Sequence, residues 1–137
     1  MGFGESVASC FRNYANFSGR ARRSEFWFFR LFVTLVFVGS FVLIAIIGAA
    51  TGRPDQASPI AEVLTLALAI FWLAMFIPDL AVSARRLHDT DRSGWWYLLA
   101  FVPFGSIVLL VWWCMKGTDG ENSYGPDPFA PSTHVFE

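Results

Sequence analysis

The chain has 137 residues, of which 55% are hydrophobic and 18% aromatic, whereas only 15% are charged. A soluble domain usually has ~45–50% apolar and ~25% charged residues, so this composition indicates a small membrane protein. The net charge of −1 argues against a nucleic-acid partner, and the charges are instead sorted along the chain.

The first predicted element is a short amphipathic helix over residues 3–17. One helical stripe consists of Phe3, Val7, Cys10, Phe11 and Tyr14. Polar residues occupy the positions between them, a pattern typical of a helix that lies on the membrane surface. The alternative is a frayed N-terminal tail.

Two long apolar segments, residues 26–50 and 60–84, are predicted to cross the membrane and to be joined by a polar turn over residues 51–59. The first would measure ~37 Å as a helix, enough to cross a ~30 Å hydrocarbon core with some tilt. Pro78 should bend the second helix because it lacks a backbone N–H. Asp79 is either a functional carboxylate at membrane depth or an interfacial one neutralised by an arginine.

A third apolar segment covers residues 95–115 and carries a tryptophan pair near each end, at 95–96 and 112–113. The pairs would lie ~26 Å apart along one helix, which would place one pair at each membrane interface. A spanning helix kinked at residues 103–106 is therefore the first prediction. The alternative is a re-entrant hairpin that returns both pairs to one interface.

Residues 116–137 form a polar, Gly/Pro-rich tail in which turns are favoured over regular structure. The predicted fold is thus a single all-α membrane domain over residues 1–137. It consists of an interfacial helix, three transmembrane segments and an irregular tail.

The positive charges predict the orientation. Eight of the ten lysines and arginines lie in the first 30 residues or between the second and third apolar segments. These eight are Arg12, Arg20, Arg22, Arg23, Arg30, Arg85, Arg86 and Arg92. Arg53 and Lys116 are the other two. The positive-inside rule then predicts a cytoplasmic N-terminus and a cytoplasmic loop at residues 85–94. Three spans would place the tail outside, whereas a hairpin would leave it inside.

Three stretches resemble the signatures of one family. They are FSGRARRSEFW at 17–27, RRLHD at 85–89 followed by SGWW at 93–96, and KGT at 116–118 followed by Gly120, Asn122 and YGPDP at 124–128. Together they resemble the bacterial inner-membrane family known as domain of unknown function 805, in the right order over nearly the whole chain. The resemblance implies an inner-membrane location and a tail that is a real structural element. It implies no defined activity, and Asp91 stands at a more variable position of the family.

The charged stretches supply the candidate site. Its predicted ligands for an anionic phospholipid headgroup are Arg20, Arg23, Arg85, Arg86 and Arg92, and its accompanying polar cluster is Glu25, Asp79, His88 and Asp89. The binding interpretation rests on the planar guanidinium, which matches phosphate oxygens. A face with Arg20, Arg23, Arg30 and Trp27 at helical spacing suits a lipid.

The competing interpretation is structural, with arginines that set the topology and carboxylates that join the helix ends. Arg22 and Glu25 are i, i+3 neighbours, and Arg85 and Asp89 are i, i+4 neighbours, so local pairs are available. A lone carboxylate at Glu25 would be costly in lipid. We therefore predict an arginine beside it, Arg85 or Arg86 first and Arg22 otherwise.

A third interpretation is a membrane-embedded enzyme or a small oligomeric transporter that uses His88 with Asp79 or Asp89. The sequence has no serine elbow, paired-histidine metal motif or phosphate-binding glycine loop, so no catalytic residue, metal or other cofactor is predicted. Cys10 and Cys114 lack metal-ligand spacing and are interpreted as small apolar residues. The expected partners are membrane lipids and further membrane protein, either copies of this chain or a larger complex.

The orientation can be tested with single introduced cysteines at Ser18 and Thr90. Because both positions are predicted to face the cytoplasm, neither should react with a membrane-impermeant thiol reagent in intact cells, and both should react after lysis. Labelling of either position from outside the cell would contradict the predicted orientation.

Overall fold

The computed structural model describes residues 2–51 and 58–129. Within these ranges the chain forms α1 (Phe3–Arg12), α2 (Arg23–Ala50), α3 (Pro59–Asp89), a 3₁₀ helix (Gly94–Phe101) and α4 (Gly105–Cys114). The predicted all-α class is confirmed. Most of the turn predicted at residues 51–59, which includes Arg53, and the last residues of the tail, which include His134, lie outside the described ranges.

Helix α1 is shorter than predicted, because it ends at Arg12 instead of residue 17. Its apolar stripe packs on α2. The ring of Phe3 lies edge-on to that of Phe28, and the ring of Phe11 lies edge-on to that of Phe29, with 5.9 Å between centroids in both pairs. Aromatic contacts of this geometry fix a helix on its neighbour, so α1 is a packed element and not a frayed tail.

Helices α2 and α3 are both long and apolar enough to cross a membrane. Their most apolar stretches are almost entirely exposed in the chain itself, with buried shares of 0% and 6%. Their buried residues instead concentrate where α2 begins and α3 ends. We call this part of the molecule the basic end. Both helices extend beyond the predicted segments there, α2 starting at Arg23 and α3 ending at Asp89.

Pro78 lies inside α3 without ending it. Since proline has no N–H, the carbonyl oxygen of Ala74, four residues earlier, lacks its helical donor. The hydroxyl of Tyr14 donates a hydrogen bond to that oxygen. The segment after α1 thus supplies the donor that the proline removes, and an unsatisfied carbonyl in hydrocarbon is avoided.

The third apolar segment is a hairpin, and the kinked spanning helix that was the first prediction for it is wrong. The 3₁₀ helix ends at Phe101, and α4 begins after Phe104, whose φ of 62° is left-handed. The two halves pack on each other, so that the Trp96 and Trp112 ring centroids are 5.7 Å apart. Each half has too few residues to cross a ~30 Å core by itself, and the contact between Trp96 and Trp112 agrees with the hairpin alternative.

The role of Tyr14 can be tested by a double-mutant cycle with Pro78. Tyr14→Phe should lower the free energy of unfolding in detergent by about 1–3 kcal/mol, because it leaves the Ala74 carbonyl without a donor. Pro78→Ala restores the helical N–H, so Tyr14→Phe should cost clearly less in that background. Tyr124→Phe is the matched control. Equal costs in both backgrounds would contradict this role.

Candidate functional site

The candidate site is the basic end, where four segments of the chain meet. The N-terminal connection between α1 and α2 lies against the end of α3, and the backbone N–H of Ala21 donates to the carbonyl oxygen of Arg85 over 3.1 Å. The hairpin and the first part of the tail, residues 115–129, complete it. The sequence-predicted site residues are all found here or within a few turns of it.

A buried carboxylate between two arginines forms the centre of the site. The Nε of Arg20 donates to Oδ1 of Asp89 over 2.9 Å, and Nη1 of Arg86 donates to Oδ2. The side chains of Arg20, Arg86 and Asp89 are only 1%, 0% and 3% exposed. One carboxylate cannot balance two guanidinium groups, so the remaining N–H donors need other acceptors.

Backbone carbonyl oxygens supply those acceptors. Arg20 donates to the carbonyls of Thr118 and Gly120, each over 2.5 Å. Arg86 donates to the carbonyl of Trp113 over 3.2 Å and to that of Met115. Arg86 therefore attaches the end of α4 to α3, and Arg20 attaches the start of the tail to the connection between α1 and α2.

The tail also completes the C-terminus of α3. The last carbonyl groups of a helix have no donor within it. The N–H of Thr118 donates to the carbonyl of Asp89 over 2.7 Å, and the side-chain amide of Asn122 donates to that of His88 over 2.9 Å. Gly117 fits closely here, because a Cβ at this position would come within 2.0 Å of the Asp89 carboxylate.

The tail has internal structure of its own. The carboxylate of Asp127 accepts hydrogen bonds from the N–H groups of Gly120 and Phe129 over 3.0 and 2.9 Å. These two bonds, with that to Phe129 the stronger influence, lower the pKa of the Asp127 carboxyl. The turn is therefore held by an ionised side chain at neutral pH.

Glu25 has the long-range arginine partner that the sequence predicted. Its Oε1 lies 2.9 Å from Nη1 of Arg85, which confirms the prediction, and it also accepts a hydrogen bond from the hydroxyl of Ser9 over 3.0 Å. The thiol of Cys10 lies beside the same oxygen. Burial and the neighbouring Glu25 raise the pKa of this thiol to about 12, so Cys10 stays neutral and unreactive at physiological pH.

Neither of the two local pairs that the sequence made available forms among the residues that the structure describes. Arg85 points towards α1 and α2, and it is Arg86, on a different face of α3, that pairs with Asp89. Consecutive helical residues face different directions, so only one of the two arginines can reach each carboxylate. Arg22 does not pair with Glu25 and donates instead to the carbonyl of Pro128 in the tail.

Asp79 and His88 contact different partners. Asp79 lies 3.1 Å from Arg30, which also contacts Ser83, so this carboxylate is neutralised by an arginine. His88 contacts the carbonyl oxygen of Gly19 through Nδ1 over 2.9 Å. In the residues that the structure describes, His88 has no hydrogen bond to Asp79 or Asp89. The structure therefore does not form the acid–base pair of His88 with either carboxylate.

Two of the predicted headgroup ligands stay accessible. Arg23 is exposed, with one long hydrogen bond of 3.4 Å to the carbonyl of Cys114, and Arg92 lies over the ring of Trp112 at 4.5 Å from its centroid. A shallow groove of about 370 Å³ adjoins Arg23. Its other lining residues are Ser24, Trp27, Phe28 and Cys114.

Sequence reasoning missed several residues that hold the site together. Tyr14 was assigned only to the apolar stripe, and Gly117 and Asn122 were noted only as parts of the tail signature. For Gly117 and Asn122 the tail signature was the available signal. A turn-rich segment with defined residue types at defined spacing indicates a segment that packs against the rest of the chain.

The comparisons with known proteins agree with the charged signatures. A family model described as "Protein of unknown function (DUF805)" matches residues 14–126, a range that includes every arginine and carboxylate of the central network. The chain belongs to this family.

Relatives in Escherichia coli K12 include two proteins that are named as inner membrane proteins. The chain is 47% identical to "Inner membrane protein YhaI" over 88% of its own length and 92% of that protein. It is 44% identical to "Inner membrane protein YhaH" over 85% and 90%. The "Uncharacterized protein YiiR" is 30% identical over 82% and 85%. No solved structure matches the chain.

The docking of the tail can be tested with Gly117→Ala. The new methyl group would overlap the Asp89 carboxylate, which two arginines hold in place, so the tail should be displaced. Limited proteolysis in detergent should then cut the chain after Lys116 faster than in the unmodified protein. Gly39→Ala is the matched control, because a Cβ there meets nothing within 4 Å. Equal cleavage rates in the two variants would contradict the close fit.

Proposed function

We propose that the chain is a multi-pass protein of the bacterial inner membrane, with α2 and α3 as its two spans and the hairpin as a re-entrant element. The names of its relatives and the apolar lengths of both helices support this proposal. The hairpin places the tail beside Arg20 and Arg23, on the same side as the N-terminal segment.

The charge distribution supports a basic end that faces the cytoplasm. Lys116 lines the same cavity as Arg20 and Arg23, so it joins the eight arginines already assigned to this side. Nine of the ten lysines and arginines are then assigned to this side, and the tenth, Arg53, lies in the sequence between α2 and α3. So strong an asymmetry favours cytoplasmic retention of the basic end.

We further propose that the protein is a non-enzymatic binding or assembly protein. The observation that carries this is the buried Arg20–Asp89–Arg86 network, which joins the N-terminal connection, α3, α4 and the tail. Its donors and acceptors bond to each other and to backbone carbonyls, and so hold a fixed surface at the membrane. Charged groups used in this way stabilise an arrangement and are not free for acid–base chemistry.

An anionic phospholipid headgroup is the proposed ligand of the accessible arginines. Arg20, Arg85 and Arg86 have buried side chains that are paired with carboxylates, so the proposed contact is made by the exposed Arg23, with the half-buried Arg92 as a second cation. Arg23 stands above the groove formed with Trp27 and Phe28, which would receive an acyl chain while the guanidinium binds phosphate.

Lysine substitutions separate the two proposed uses of arginine. Arg23→Lys keeps the charge but loses the planar fork, so retention of phosphatidylglycerol should fall by about tenfold if one charge-assisted hydrogen bond of about 1.5 kcal/mol is lost. Arg86→Lys should instead lower the unfolding temperature, because lysine cannot reach Asp89 and two carbonyls together. Native mass spectrometry and thermal unfolding in detergent measure these effects.

Arg12→Lys, on the exposed side of α1, is the control for both measurements. A topology reporter fused to each variant should show an unchanged orientation, since the positive-inside rule counts lysine and arginine alike. Unchanged lipid occupancy in Arg23→Lys would leave Arg23 with a topological role only.

A further inference from the structure

A further cavity, separate from the Arg23 groove and from the cavity beside Lys116, lies between the 3₁₀ helix and the last turns of α3. Its volume is about 400 Å³, near the lower end of the ~300–1,000 Å³ usual for small-ligand sites. Its apolar walls include Phe17, Leu80, Ala84, Trp95 and Leu98. His88 stands at the end nearest the tail. From His88 to Leu80 the cavity follows α3 for ~12 Å, or about two turns.

The imidazole of His88 presents a hydrogen-bond acceptor at this cavity. Its Nδ1 lies 2.9 Å from the carbonyl oxygen of Gly19, and because a carbonyl only accepts, Nδ1 must carry the proton. In the neutral ring Nε2 is therefore an acceptor, and no residue in the described ranges donates to it. The ring cannot turn freely, since it is stacked on Tyr124 at 4.1 Å between centroids.

Gly94 keeps the space beside this nitrogen open. A Cβ at position 94 would lie 3.4 Å from Nε2 of His88 and 3.0 Å from Cβ of Ala84. Any larger residue would fill the cavity at its polar end or push the 3₁₀ helix away from α3. The absence of a side chain thus leaves Nε2 accessible to a ligand.

The lining also restricts the charge of that ligand. No Lys, Arg, Asp or Glu among the described residues lines the cavity, so an ionised head would be buried there without a counter-charge. A ligand that fits has an uncharged hydrogen-bond donor at one end and a hydrocarbon chain behind it. The modest volume suits one chain and not two.

We propose that this cavity binds a single-chain amphiphile with an uncharged hydroxyl head. The hydroxyl donates a hydrogen bond to Nε2 of His88, and the chain lies along α3 towards Leu80. Such a ligand enters from the membrane, because Trp95 and Leu98 at the cavity wall are exposed on the apolar hairpin.

Photoaffinity labelling of the full chain in phosphatidylcholine nanodiscs tests this proposal. The probe is dodecan-1-ol with a diazirine on its chain, and the labelled peptides are identified by mass spectrometry. Label should appear within residues 80–98 and should be displaced by unlabelled dodecan-1-ol. Dodecyl methyl ether, which has no donor, should compete about fivefold less well, the ratio that one hydrogen bond of about 1 kcal/mol gives.

Three variants sharpen the test. His88→Asn retains an N–H in the position of Nδ1 but removes Nε2, so alcohol and ether should compete equally in it. Leu80→Trp should block the apolar end and abolish labelling. Leu73→Trp, the same change two turns away on the exposed side of α3, should leave it unchanged. Should His88→Asn fail to fold, the comparison of alcohol and ether in the unmodified chain decides on its own.

Several outcomes would overturn the proposal. Equal competition by alcohol and ether in the unmodified protein would remove the role of Nε2. Stronger competition by dodecanoate or dodecylammonium would show that the site prefers a charged head. Labelling that survives Leu80→Trp would place the probe outside this cavity.

Discussion

The basic end depends on the carboxylate of Asp89. Two arginine side chains that are almost completely buried share it, and both also bond to backbone carbonyls of the tail or of the hairpin end. Without Asp89 these two cations would be buried with no counter-charge, an arrangement more costly than the loss of a single contact. Gly117 packs closely against Asp89 for the same reason. Arg20 is held by Asp89, so the tail must approach this carboxylate for its carbonyl groups to accept hydrogen bonds from Arg20.

The apolar surroundings of α3 explain why two of its other polar groups each have a partner from another segment of the chain. Tyr14 replaces the donor that Pro78 removes from α3, and Arg30 neutralises Asp79 one residue further on. Both arrangements bring a side chain from outside α3 to a polar group that hydrocarbon cannot solvate. Nearer the other end of α2 and α3 no such arrangement is needed, because the exposed residues there are almost all apolar.

Much of this architecture could be predicted from the sequence because it depends on local pattern. Unbroken apolar runs predicted α2 and α3, and their charged ends predicted which ends lie together. The partner of Glu25 could be predicted because a lone carboxylate at a helix entrance needs a cation, and α3 supplies arginines at the matching level. The family signatures similarly indicated that the tail is a structural element, as its bonds to α3 now show.

Tertiary structure alone decided which of two adjacent arginines pairs with each carboxylate and how the third apolar segment folds. Arg85 and Arg86 are adjacent in sequence, yet their different faces on α3 send one to Glu25 and the other to Asp89. The spacing of Trp96 and Trp112 fits both a spanning helix and a hairpin, and only the left-handed turn at Phe104 brings the rings together. The sequence by itself determined α2 and α3, their apolar surroundings and the charged end. Pairings between distant segments depend on relative orientation in three dimensions, which local periodicity does not contain.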